Sequence, residues 1–274
     1  QDVFAGASLG IGGARGAAFA NVVHARREAL GAIAAHEQTV ASLGLERQVE
    51  LAGENVALFG ELAWLTGDVV SNGALLEDRS GLGGVVELRR AMRRPLGYRF
   101  RFEQYRADFA PSGANVPSDR RSIEGHASWR FASGLALRGR VQSFRDALDG
   151  PNPLDSHTVG LALTGPLGAA GATGVIDGFH QWRESRDGVV DARTANLRVD
   201  LQVGIGCGVT ARPSFFWQRL DDRAARNRMH TTQYGIAFGR RFRAFGFDGD
   251  VETGILRRRR SGGIADVDEL APRI

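Results

Sequence analysis

Hydrophobic and polar residues alternate with a period of two along most of the chain. Between residues 195 and 205, for example, Leu197, Val199 and Leu201 alternate with Arg198 and Asp200. Because successive side chains of a strand point to opposite faces, this alternation predicts strands with one apolar and one polar face. About fourteen strands are predicted, over residues 2–13, 16–28, 37–48, 54–66, 82–94, 96–110, 119–133, 134–147, 156–168, 171–185, 190–206, 207–221, 228–241 and 244–259.

The length and polarity of these strands favour a membrane protein. Strands of soluble proteins usually have about 5 or 6 residues, whereas a tilted strand needs about 9 to 11 residues to cross a bilayer. Arginines and carboxylates also occupy mid-strand positions, which a membrane barrel would turn towards a water-filled lumen. The predicted fold is therefore all-β, a transmembrane antiparallel up-and-down β-barrel, with residues 1–274 as a single domain.

The connections between the predicted strands alternate in length. Short turns follow odd-numbered strands, and long polar loops follow even-numbered strands, as in outer-membrane barrels. The short turns include 12–15, 132–134, 205–208 and 242–246, and the long loops include 66–80, 111–119, 146–156 and 221–229. This pattern predicts that the short turns lie on the periplasmic side.

Large aromatic residues lie near the ends of several predicted strands. Trp64 and Trp217 precede long loops, whereas Tyr98, Trp129 and Phe131 lie beside short turns. This distribution is typical of the two aromatic girdles at the membrane interfaces of a barrel. The alternative is that large β-forming residues simply favour strand ends near turns.

An even number of strands would place both ends of the chain on the side of the long loops. Bacterial barrels normally have both termini in the periplasm, and the chain ends in Ile274 rather than in an aromatic residue. We therefore expect strands to be missing at both ends, with about 16 or more in the complete barrel. The alternatives are strands that the pattern does not reveal, above all within residues 1–50, or an inverted topology.

Composition excludes several other classes of protein. The single Cys207 rules out a disulfide scaffold, and no uncharged apolar run reaches the length of a transmembrane helix. The net charge is +4, and arginine supplies every one of the 35 basic residues. These arginines are scattered among acids, and no nucleic-acid-binding motif is present, so nucleic acid is not an expected partner.

Catalytic and metal-binding motifs are weak. Residues 6–10 match G-x-S-x-G, but Ser8 lies within a predicted strand that no helix follows, whereas a nucleophile elbow requires that helix. The six histidines lack the close spacing of a zinc site. We therefore expect no enzyme activity, no metal and no cofactor; a hydrolase that uses Ser8 is the enzymatic alternative.

Charged residues on the polar faces of the predicted strands are the best functional candidates. Rows of arginine facing carboxylates across a pore would set the selectivity of an aqueous channel. The alternative is that they form salt-bridge ladders between neighbouring strands, and both can hold at once. The candidates for the lumen are Arg99, Arg101, Glu103, Glu124, Arg130, Arg138, Arg140, Arg198, Asp200 and Arg212.

The chain as a whole resembles bacterial outer-membrane β-barrel proteins of channel or exporter type. The segment from Tyr98 to Asp146 is similar to large barrels in which an aromatic strand enters a Pro-Ser-Gly loop, here 111–113, before a returning strand. The resemblance implies a Gram-negative outer membrane and passive transport of a polar solute or cargo. It implies contact with outer-membrane lipid, and other subunits or periplasmic proteins are further candidate partners. The alternative is a non-conducting barrel that anchors or scaffolds protein partners.

Overall fold

The protein is an antiparallel all-β structure. The computed structural model describes residues 3–28, 35–51, 53–71, 74–90, 95–112, 119–168, 171–244, 247–262 and 266–273. Its strands are β1 (Val3–Gly13), β2 (Gly16–Arg27), β3 (His36–Leu51), β4 (Glu54–Ser71), β5 (Ala74–Arg90), β6 (Leu96–Tyr105), β7 (Arg120–Arg130), β8 (Ala136–Asp146), β9 (Leu154–Pro166), β10 (Thr173–Ser185), β11 (Asp191–Gly206), β12 (Val209–Asp222), β13 (Asn227–Ala244), β14 (Phe247–Ser261) and β15 (Val267–Arg273).

The 15 strands form one sheet in which spatial order follows chain order from β1 to β15. This up-and-down topology needs only hairpin connections, several of which are very short. The turn between β11 and β12 consists of Cys207 and Gly208, both with positive φ, as a two-residue type I′ hairpin requires. Within the described ranges there is no helix long and apolar enough to cross a membrane.

Contacts within the chain define two compact units. The first comprises residues 1–91, 97–125 and 142–155, and the second comprises residues 92–96, 126–141 and 156–274. Each unit contains consecutive antiparallel hairpins. The most deeply buried apolar cluster of the first unit, formed by Leu65, Val69 and Phe109, lies near the loop that follows β6.

All fourteen predicted strands are present, and one further strand was missed. β15 pairs with β14 from Val267↔Arg260 to Arg273↔Gly254. The expectation that β14 is the last strand, running towards the long loops, is therefore wrong, since β15 returns in the opposite direction. β15 has only 7 residues and contains Pro272, so its alternation is too short to stand out in the sequence.

Two predicted boundaries near the long loops are also wrong. Residues 66–80 form no long loop, because β4 continues to Ser71 and β5 begins at Ala74. The strand predicted over 96–110 ends at Tyr105. Residues 91–94, 113–118 and 245–246, which belong to a predicted strand end, a predicted loop and a predicted turn, lie outside the described residues.

Large apolar side chains are exposed along the strands rather than buried beneath them. Ile11, Leu9 and Leu161 are 77%, 71% and 61% exposed. Neighbouring strands continue the same face, as where Leu62 of β4 lies opposite Leu43 of β3. A soluble protein rarely exposes contiguous apolar area on this scale, and such a face commonly marks a surface that contacts lipid or another protein.

Candidate functional site

Within each unit, predicted lumen residues share a face of the sheet, which we call the polar face. In the first unit it carries Arg99, Arg101 and Glu103 of β6, and register places Arg101 opposite Glu87 of β5. In the second unit it carries Arg198 and Asp200, with Arg198 opposite Asp177 of β10. Since register partners point to the same side of an antiparallel sheet, these charges line one surface within each unit.

Glu87 is the centre of an ion-pair network in the first unit. It lies 2.8 Å from Arg99 and 3.6 Å from Arg101, and Arg101 lies 2.8 Å from Glu103. The Glu87 residue is buried, so the adjacent guanidinium groups compensate a carboxylate largely removed from water. Glu87 was not among the predicted site residues, although its place in the alternation of β5 was a usable signal.

Ion pairs also join β7 to β8 and β8 to β9. On the polar face, Arg120 contacts Asp146 of the adjacent β8. Arg145 of β8 and Asp155 of β9 pair on the opposite face, the face of Val141 and Leu161, with N–O distances of 2.6 and 2.7 Å. The predicted Glu124 accepts a hydrogen bond of 3.1 Å from Gln142. These contacts join consecutive strands side by side.

In the second unit, Arg198 forms an ion pair with Asp200, and Arg212 forms one with Glu252 of β14. The alternative of a salt-bridge ladder between neighbouring strands therefore fits Arg99 and Arg101, which pair with Glu87 of β5. Arg198 pairs within its own strand, and Arg212 pairs across β13. The Arg198 and Arg212 pairs are solvent-exposed, with the Arg198 side chain 63% exposed, so each of these two pairs contributes little to stability. Their main effect is to fix side-chain positions and to neutralise local charge.

The predicted arginines Arg130, Arg138 and Arg140 differ from this ladder. Within the described ranges, none of the three lies within 4 Å of a carboxylate oxygen. They line one concavity of about 500 Å³ in the second unit, together with His126 and Asp177. The structure thus separates the predicted arginines into a paired group and an unpaired group.

A segment after β6 folds onto the polar face of β3 to β5. The ring of Phe109 packs on Leu65 and Val69 and stacks on Tyr105, with ring centroids 5.6 Å apart. Gln38 of β3 donates a 2.8 Å hydrogen bond to the Ser112 hydroxyl and accepts one of 2.7 Å from the Ser112 amide. We call residues 106–112 the inner loop.

Glycines in β5 make room for the inner loop. An added Cβ at Gly81 would collide with the backbone of Asp108, and one at Gly83 would lie 2.7 Å from the Phe109 ring. The sequence predicted that residues 106–110 continue β6, so it missed this loop. The one available signal was the pair of glycines in β5, Gly81 and Gly83. Alternation alone does not show that these glycines face Phe109.

The prediction that Trp64 precedes a long loop is wrong, since Trp64 lies within β4, and Phe131 lies in the turn after β7. Trp64, Trp129 and Phe131 are exposed, while Tyr98 and Trp217 are partly exposed. Trp64 donates a 2.7 Å hydrogen bond from Nε1 to the Ser80 hydroxyl. An indole with an apolar body and a satisfied polar tip is suited to a membrane interface, and the girdle remains a prediction.

Ser8 forms part of a polar row rather than a catalytic pair. Its hydroxyl donates a 2.6 Å hydrogen bond to Oδ1 of Asn21, and the Asn21 amide donates a 3.2 Å bond to Ser42. A serine nucleophile needs a base such as histidine at that position. Within the described ranges, no group of three or more His, Cys, Asp or Glu residues could hold a metal ion.

Comparison with known proteins adds no assignment to this geometry. No protein-family model matches the chain, and no curated protein matches it by sequence.

Proposed function

We propose that this chain forms a β-barrel of a Gram-negative outer membrane and provides a passive conduit for polar solutes. In this proposal the sheet closes, its exposed apolar face contacts lipid, and its polar face lines an aqueous path. The distribution of side chains carries the proposal: aliphatic residues such as Leu161, at 61% exposed, cover one face, and ion pairs cover the other. This is the arrangement of a transmembrane barrel.

The length of the apolar stripe agrees with this proposal. Along β11, apolar side chains alternate from Ala195 to Ile205. At a rise of about 3.3 Å per residue and a tilt of about 40°, that stripe covers about 25 Å of the membrane normal. The outward apolar band of outer-membrane barrels has this height.

The inner loop would narrow the conduit on the side of β3 to β5. Phe109 and its neighbours occupy space above the polar face, and the Glu87 network lies on the same face. A path bounded by an ordered loop and by fixed charges would favour small polar solutes over large ones. Charge pairing along the ladder would keep selectivity between cations and anions modest in that unit.

Planar-bilayer recordings test the proposal. The refolded protein should give discrete conductance steps, and Arg212→Glu on the polar face should shift the reversal potential in a KCl gradient towards cation preference. The matched control is Arg226→Glu, the same change in the exposed turn after β12, which should leave the reversal potential close to that of the wild type. Current that stays at baseline would contradict the channel and favour the anchoring barrel.

A further inference from the structure

The three unpaired arginines are collected in one place of the second unit. Arg130 lies at the end of β7. Arg138 and Arg140 lie two residues apart on β8, so these two side chains share a face of the strand. All three line the concavity of about 500 Å³. Its other polar side chains are those of His126, Ser128 and Asp177, so the lining carries three fixed positive charges against one carboxylate.

Arg140 is held in position without using its charge on a carboxylate. Its side chain lies across Gly160 of β9, where an added Cβ would come within 2.7 Å of Nε. The guanidinium carbon lies 5.4 Å from the centroid of the Phe179 ring. A guanidinium that lies over an aromatic face keeps the N–H donors at its edge available for an anion.

Small residues keep the space in front of these donors open. Ala136 of β8 and Ala162 of β9 line the same concavity as Gly160. The other predicted arginines, Arg99, Arg101, Arg198 and Arg212, each contact a carboxylate on the same or another strand. Among the predicted arginines, positive charge without a carboxylate partner and an open volume therefore coincide where β7 to β10 meet.

We infer that Arg130, Arg138 and Arg140 form a binding site for small polyvalent anions, of the class that includes phosphate compounds and polycarboxylates. Several guanidinium forks recognise such anions through charge-assisted, bidentate hydrogen bonds. The volume accommodates a small organic molecule. With this site, the proposed conduit would favour small polyvalent anions. Anion binding itself does not depend on the proposed function; only the role of the site in transport rests on it.

Direct binding to the detergent-solubilised full chain tests the site without requiring conduction. Isothermal titration calorimetry with pyrophosphate, citrate and sucrose should give saturable binding of at least one of the two anions and none of sucrose. Binding of pyrophosphate alone would assign the site to phosphate compounds, and binding of citrate alone would assign it to polycarboxylates. Absence of binding by both anions would overturn the inference.

Two variants locate the binding site. Arg138→Gln combined with Arg140→Gln should weaken binding by at least about tenfold, because two charge-assisted contacts are lost. The matched control, Arg223→Gln combined with Arg226→Gln, removes the same charge from the exposed turn 223–226 and should bind like the wild type. Equal affinities for the two double variants would overturn the inference.

A gain of affinity provides evidence that misfolding cannot produce. Asp177→Asn removes the one carboxylate of the lining and should tighten binding by about two- to fivefold, as expected for an exposed like-charge interaction. Unchanged or weaker binding by this variant would contradict the inference. Anion binding without conductance would reject the conduit and support the anion site. Conductance without anion binding would support the conduit and reject the anion site.

Discussion

Truncation of Phe109 should release the inner loop while leaving the sheet intact. Phe109 is 3% exposed and packs on Leu65 and Val69, which are fully buried. Replacing such a buried phenylalanine with alanine costs about 3–5 kcal/mol. Because the loop carries the ring, this loss acts on the equilibrium between the docked and the undocked loop. It raises the undocked population about 10²- to 4 × 10³-fold. The two bonds between Gln38 and Ser112, at about 0.5–1.5 kcal/mol each, oppose undocking but remain in both proteins.

Limited trypsinolysis measures this equilibrium, because cleavage after Arg106 requires the loop to open and its rate tracks the open population. Phe109→Ala should therefore be cut at Arg106 much faster than the wild type, while keeping its heat-modifiable gel migration. Phe131→Ala, in the exposed turn after β7, is the control and should be cut at the wild-type rate. Equal cleavage of Phe109→Ala and wild type would refute the docked loop.

Three further predictions concern local structure. Gly44→Ala should lower the thermal stability by about 1–3 kcal/mol, because the added methyl meets the ring of Phe19; calorimetry that finds no loss would contradict this packing. Cys207 should react with a membrane-impermeant maleimide only after the outer membrane of cells is permeabilised, and labelling in intact cells would reject the assignment of the short turns to the periplasm. The hydrogen bond from the Ser185 hydroxyl lowers the pKa of Asp187 below its ordinary value. The turn should therefore keep this stabilisation above the ordinary carboxyl pKa and lose it as pH falls through the lowered value, as measured by hydrogen exchange, whereas Asp187→Asn should show no such acid dependence.

Alternation predicted most of the sheet because a strand with one apolar and one polar face has a period of two in its sequence. β11 was predicted over residues 190–206 and extends over Asp191–Gly206. The extension of β4 to Ser71 was missed, since a register shift between Gly67 and Val69 interrupts the period of two there. β15 was missed because its short run contains Pro272.

The pairing of charges could not be predicted from the sequence. Alternation places Arg99 and Arg138 on polar faces alike, but whether each finds a carboxylate depends on the register of neighbouring strands. Glu87 lies 12 residues from Arg99 in the chain and becomes its partner only through the β5–β6 hairpin. The inner loop is a tertiary feature of the same kind, since Phe109 packs on Leu65 and Val69 of β4 as well as on the nearby Tyr105.

The environment of two adjacent side chains of β11 tests the membrane-spanning arrangement most directly. Leu197 lies on the apolar face and Arg198 on the polar face. In a Cys207→Ser background, each can be replaced with cysteine, labelled with an environment-sensitive fluorophore and reconstituted into vesicles that contain lipids with brominated acyl chains. The account predicts blue-shifted, strongly quenched emission from position 197 and water-like, weakly quenched emission from position 198. Water-like emission from both positions would contradict it.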